Sequence, residues 1–134
     1  MDGDRRSTFT LARDPTEVGQ AREHVSRACA GLNRDLVEIA QLLTSELVTN
    51  ALDHGAGEIV LGIARSDHDL EIDVTDGAAG LPRRAAPAPD QTRGRGMLLV
   101  ESMSAAWGVE PPADGGKRVW FRLRADAPVP SGSR

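Results

Sequence analysis

An α+β domain of two layers is the fold class this sequence predicts, on the strength of two helical stripes and one strand hairpin. Val18, Ala21, Val25 and Ala28 recur at helical spacing, and Leu36, Ile39, Ala40, Leu43, Leu47 and Ala51 form a second, broader stripe. Glu58 to Ala64 (EIVLGIA) and Leu70 to Thr75 (LEIDVT) flank Ser66-Asp67-His68-Asp69, the pattern of two strands joined by a turn. One-sided helices and a hairpin bury their apolar faces by packing on each other, which gives a helical layer on a sheet.

The elements follow in order. Ser7 to Ala12 alternates polar and apolar residues and reads as a first strand. Asp14 is placed to cap a helix with Pro15 at its first position; that helix runs to about Ala30 and is ended by Gly31 and Asn33. The second helix starts near Asp35 and ends at His54-Gly55. Asp76 sits where the second hairpin strand stops. From Gly77 to Gly96 the chain is rich in Gly, Pro, Ala and Arg, with too many breakers for regular structure and too much length for a plain connector, so a functional loop is expected. Met97 to Met103 reads as a helix, Ala105 to Glu110 as a strand, and Arg118 to Leu123 as a last strand after the turn Ala113-Asp114-Gly115-Gly116. Residues 1–124 are expected to form a single domain and residues 125–134 a disordered tail.

With 134 residues, 40% of them hydrophobic, the chain has material for one ordinary core. A formal charge of −4 argues against binding nucleic acid through a broad basic face. Cys29 is the only cysteine, which excludes an intrachain disulfide and a cysteine metal cage and suits a reducing, cytoplasmic setting. No apolar run approaches membrane-spanning length, and the polar N-terminus lacks the apolar core of a signal peptide.

Three segments carry chemistry. In Glu46-Leu47-Val48-Thr49-Asn50-Ala51-Leu52-Asp53-His54-Gly55, Glu46 and Asn50 project over the same helical turn. An Asn oxygen can ligate Mg²⁺ and a Glu can take a proton from a nucleophile, although a Glu and an Asn near a helix end are more often simply solvated. In Asp73-Val74-Thr75-Asp76-Gly77-Ala78-Ala79-Gly80, the strand-end Asp76 runs into residues small enough for a flat ligand to approach the backbone, and its carboxylate can accept from an exocyclic amine such as that of adenine. In Gly94-Arg95-Gly96-Met97-Leu98-Leu99-Val100, a Gly pair opens an apolar helix, whose unpaired N–H groups attract phosphate. Each segment alone has a commoner, purely structural explanation.

Together and in this order, they resemble the nucleotide site of a Bergerat-fold ATP-binding domain of the gyrase and histidine-kinase superfamily, specifically the short anti-sigma-factor serine/threonine kinase branch of actinomycetes. Glu46 to Ala51 is similar to that branch's N box nearly letter for letter. Asp76 to Gly80 falls on its first glycine box, Gly94 to Val100 on its second, and Trp107-Gly108-Val109 with Val119-Trp120-Phe121 on its C-terminal strands. The likeness spans about Thr8 to Leu123. It implies a two-layer α/β sandwich with a mixed, mainly antiparallel sheet and three helices on one face.

The resemblance also implies roles. Asn50 would ligate Mg²⁺, Glu46 would be the general base or would position a water or hydroxyl, and Asp76 would read the adenine amino group. Gly80, Gly94 and Gly96 would admit the base and wrap the phosphates, with Asp53 and Met97 completing the nucleotide-binding set. Arg93 and Arg95 lie where a guanidinium can meet a phosphate oxygen, and equally where loop arginines are solvated. ATP and Mg²⁺ are the implied ligands, and the implied function is phosphorylation of a STAS-type anti-anti-sigma partner, sequestration of a sigma factor, or both, with homodimers compatible with the branch. Two departures point to an alternative, a nonenzymatic partner-binding module. Ala78 stands where the first glycine box usually has Gly, and Lys117-Arg118-Val119-Trp120 offers no hydroxyl to support Asp76, a duty left to Arg118 or a water.

Overall fold

The computed structural model describes residues 5–78, 91–112 and 115–125, of which 91–96 are described in backbone only. Five strands and three helices follow in the order β1 (Arg5–Leu11), α1 (Glu17–Ala28), α2 (Arg34–His54), β2 (Ile59–Arg65), β3 (Asp69–Asp76), α3 (Gln91–Met103), β4 (Ala106–Glu110) and β5 (Lys117–Arg124). They build an α+β sandwich in which the sheet runs β1-β2-β3-β5-β4 and every pairing is antiparallel. The expectation of a mainly antiparallel sheet is thereby sharpened. The parallel pairing that "mixed" allowed does not occur among the described residues.

Period-two alternation separates the two sheet faces. Leu11, Ile59, Leu61, Ile63, Leu70, Ile72, Val74, Phe121 and Leu123 turn toward the helices and are buried, meeting Ala21 and Val25 of α1, Leu43, Leu47, Val48 and Ala51 of α2 and Val100 of α3. Each such aliphatic side chain contributes about 1.5–3 kcal/mol by leaving water. The central helix is α2, with 21 residues and a length of roughly 30 Å. Its start is set by Asn33, whose side-chain oxygen accepts from the N–H groups of Asp35 at 2.7 Å and Leu36 at 3.3 Å.

The opposite face of the sheet is polar. Asp73 lies at its centre, 2% exposed, and accepts from Arg6 Nη2 at 3.2 Å and Arg118 Nη2 at 3.1 Å. Arg6 reaches Asp73 by crossing β2 at Gly62, where a Cβ would lie 2.6 Å from Arg6 Nη2 and 2.7 Å from Asp73 Oδ1. Arg118 also donates to Glu71 at 3.1 Å and Glu110 at 2.8 Å, and Arg122 joins Glu71 at 3.3 Å while lying over the Trp120 ring. Burial works against the Arg118 charge, but Asp73, Glu71 and Glu110 outweigh it and hold the guanidinium pKa above its ordinary value.

Three expectations change. α1 begins at Glu17 rather than at Pro15, because Asp14 and Pro15 belong to a turn in which Asp14 Oδ1 accepts from both the N–H and the hydroxyl of Thr16 at 2.9 Å. Those two bonds, the backbone one first, lower the Asp14 pKa. α3 begins at Gln91, so Arg93, Gly94, Arg95 and Gly96 lie on a helical backbone instead of in the expected loop. Gln and Arg are good helix formers and carry the helix across two glycines that each cost about 1 kcal/mol relative to Ala. Ala125, the first residue of the expected tail, donates its N–H to His68 O at 2.7 Å; residues 126–134 lie outside the described residues. No helix among the described residues is long and apolar enough to cross a membrane.

Candidate functional site

The hairpin alternation that puts Asp73 on the open face puts Asp76 on the helix face at the strand end. Asp76 is 4% exposed, and glycines wall it in. A Cβ at Gly55 would fall against Asp76 Oδ2 and 2.6 Å from Asp76 Cγ, and one at Gly116 would collide with the Asp76 carbonyl oxygen. Gly116 also has φ +97°, a left-handed conformation that side chains rarely adopt. Asp76 Oδ1 accepts from Ala78 N–H at 2.7 Å, while no donor reaches Oδ2 among the described residues. Burying a carboxylate is costly without a donor or cation. The recess therefore presents one ready acceptor atom to a ligand that brings an N–H.

The end of α2 forms the next wall. Glu46 and Asn50 are half-buried, one turn apart as the spacing predicts. Asn50 Nδ2 lies 3.8 Å from Met97 Sδ, a weak bond that links α2 to α3 and leaves the amide oxygen free of partners among the described residues. Glu46 likewise has no ion pair among the described residues. The structure thus brings Asn50 to Met97 and, through Gly55, the end of α2 to Asp76. Asp53 is exposed on the last turn of α2, with no ion pair among the described residues. Gly80 lies outside the described residues, as do the side chains of Arg93 and Arg95, so their expected roles rest on the sequence alone.

Arg118 does not support Asp76. Its Cα pairs with Thr75, so the pleat turns its side chain to the open face, where it serves Asp73, Glu71 and Glu110. The residue opposite Asp76 is Lys117, on the helix side of the sheet. Lys117 was read in the sequence only for its lack of a hydroxyl; its place opposite Asp76 is one thing that sequence reasoning missed, because the pairing register cannot be read from one strand.

Arg13 is the other. α2 ends without a left-handed cap residue, Gly55 having φ −97°, so its last carbonyls need donors from elsewhere. Arg13 supplies them, with Nη2 donating to the carbonyls of Ala51 at 2.6 Å, Leu52 at 3.0 Å and Gly55 at 3.2 Å and Nη1 to Gly57 O at 3.1 Å. The sequence held no signal of this, since Gly55 reads there as an ordinary helix terminator.

Among the described residues no group of three or more His, Cys, Asp and Glu could hold a metal ion. Two arginine-lined concavities, of about 420 and 500 Å³, open around Arg5, Arg65 and Ser66 at the other end of the sheet from Asp76.

No curated protein matches the chain. Residues 11–123, from the end of β1 to the end of β5, match the family described as the histidine kinase-like ATPase domain. With the α+β sandwich in agreement with that match, the chain belongs to the histidine kinase-like ATPase domain family.

Proposed function

We propose that this domain binds ATP with Mg²⁺ and acts as an anti-sigma regulatory protein, a serine/threonine kinase toward a STAS-type anti-anti-sigma partner, a captor of a sigma factor, or both. ATP binding goes with the family. The observation that carries the site assignment is Asp76, a carboxylate 4% exposed whose Oδ2 lies against Gly55 with no donor of its own among the described residues. The 6-amino group of adenine is the complementary donor.

Each residue then has a separate task. Asp76 selects the base, and the glycines at 55 and 116 keep the space beside it open. Asn50 offers its amide oxygen to the cation, and Met97, against its amide nitrogen, orients it. Glu46, one turn earlier, holds or accepts the proton of the attacking hydroxyl. Bound Mg²⁺ supplies charge neutralisation at the phosphates. Partner choice follows from the sequence resemblance.

The test is transfer of labelled γ-phosphate from Mg²⁺-ATP to a co-encoded STAS protein, alongside partner capture. Glu46→Ala is expected to reduce transfer at least a hundredfold while capture persists. Equal transfer by the two proteins would remove Glu46 from catalysis, and absence of both transfer and nucleotide binding in the wild type would end the kinase reading. One observation favours the nonenzymatic alternative: Ala78, whose N–H already occupies Asp76 Oδ1, sets a methyl-bearing residue beside the base site. In that case capture is expected with no transfer from either protein.

A further inference from the structure

We infer that Arg13 is a positioning residue for base recognition, holding the end of α2 and the Gly55–Gly57 loop in the register that shapes the Asp76 recess. This rests on the nucleotide reading proposed above. The guanidinium spans two pieces of backbone with different work. Ala51 and Leu52 belong to the last turn of α2, whereas Gly55 and Gly57 belong to the loop leading into β2. A donor that merely capped the helix would need only the first pair.

The loop it grips touches the recess twice. Gly55 packs against Asp76 Oδ2 so closely that no Cβ fits, and Ala56 O accepts from Gly77 N–H at 2.7 Å. The position of the loop therefore sets both the free space at Oδ2 and the path of the chain leaving β3. Arg13 lies just after β1, on a connection distant in sequence from either element. Its two terminal nitrogens diverge at a fixed angle, which allows Nη1 to hold Gly57 while Nη2 serves the other carbonyls. A lysine carries one nitrogen, which can stand in for Nη2 but leaves Gly57 unheld.

A control arginine at a helix end remote from the recess exists within the molecule. Arg65 Nη1 donates to Ala28 O at 2.9 Å and Ala30 O at 3.0 Å at the C-terminal end of α1, the same chemistry at the end of the sheet far from Asp76. Loss of either arginine is expected to lower stability; only loss of Arg13 is expected to change base discrimination.

The experiment uses the full chain and measures Kd for Mg²⁺-ATP and for Mg²⁺-inosine triphosphate, which lacks the exocyclic amine, by calorimetry well below each protein's Tm. Wild type, Arg13→Ala, Arg13→Lys and Arg65→Ala are compared. Arg13→Ala is expected to weaken ATP binding about tenfold with little change for inosine triphosphate, so that the preference for ATP collapses. Arg13→Lys is expected to resemble Arg13→Ala, and Arg65→Ala to keep the wild-type preference despite a lower Tm. An Arg13→Ala or Arg13→Lys protein that loses stability but keeps the preference overturns the inference and leaves the nucleotide reading standing. A wild type that binds neither nucleotide overturns both.

Discussion

Asp73 and Asp76 stand three residues apart on β3, both almost fully buried, and the molecule treats them in opposite ways. Asp73 faces outward from the open side of the sheet and is charge-paired with two arginines, Arg6 and Arg118, both on Oδ2, and Arg118 is itself tied into a network with Glu71, Glu110 and Arg122. Asp76 faces the helices, is walled by glycines, and among the described residues receives one backbone N–H on Oδ1 and no cation. A buried carboxylate needs compensation. At Asp73 the protein supplies that compensation permanently, and the group is structural. At Asp76 no cation supplies it among the described residues, and in the function proposed here a ligand does. Burial alone thus does not separate the two carboxylates; the presence or absence of a paired cation among the described residues does.

The largest expected effect tests the structural half of that contrast. Arg118→Ala leaves Asp73 buried with Arg6 alone, a half-exposed partner, and is expected to cost about 2–3 kcal/mol in urea unfolding. Nucleotide affinity is expected to stay at the wild-type value, since Arg118 lies on the face away from Asp76. A large fall in ATP affinity at unchanged stability would break the comparison by showing that the two faces are coupled.

A smaller effect sharpens it with a third buried polar group. Thr44 on α2 is 0% exposed, and its hydroxyl has no hydrogen-bond partner among the described residues. Unlike Asp76, it carries no charge and adjoins no glycine recess. Thr44→Val replaces the orphaned hydroxyl by a methyl of similar size and is expected to stabilise the fold by about 1 kcal/mol, read as a raised Tm, with ATP affinity unchanged. A destabilised variant would show that the hydroxyl is engaged in solution.

Much of this was legible before the structure. The stripes of α1 and α2 and the β2–β3 hairpin follow from local periodicity, and Gly31 marks the end of α1 by chemistry that acts within a few residues, whereas Asn33, expected to help end α1, caps the start of α2. The pairing of Glu46 with Asn50 was legible for the same reason, being one helical turn. What was not legible depends on contacts between distant segments. Arg118 turned away from Asp76 because strand register, not sequence distance, decides which face a side chain takes. Arg13 acts on carbonyls some forty residues away, which no local pattern encodes. The start of α3 at Gln91 was hidden by the two glycines at 94 and 96, whose propensity cost is overcome by the helix they join.

The central claim is that Asp76, not Asp73, is the carboxylate that meets the ligand. Calorimetric titration of Mg²⁺-ATP into wild type, Asp76→Asn and Asp73→Asn tests it most directly, with unfolding free energies measured on the same samples. Asp76→Asn is expected to lose ATP affinity by about tenfold or more while keeping its stability, and Asp73→Asn to lose stability while binding ATP as the wild type does. The reverse pattern, with Asp73→Asn impaired in binding and Asp76→Asn unaffected, would contradict the account.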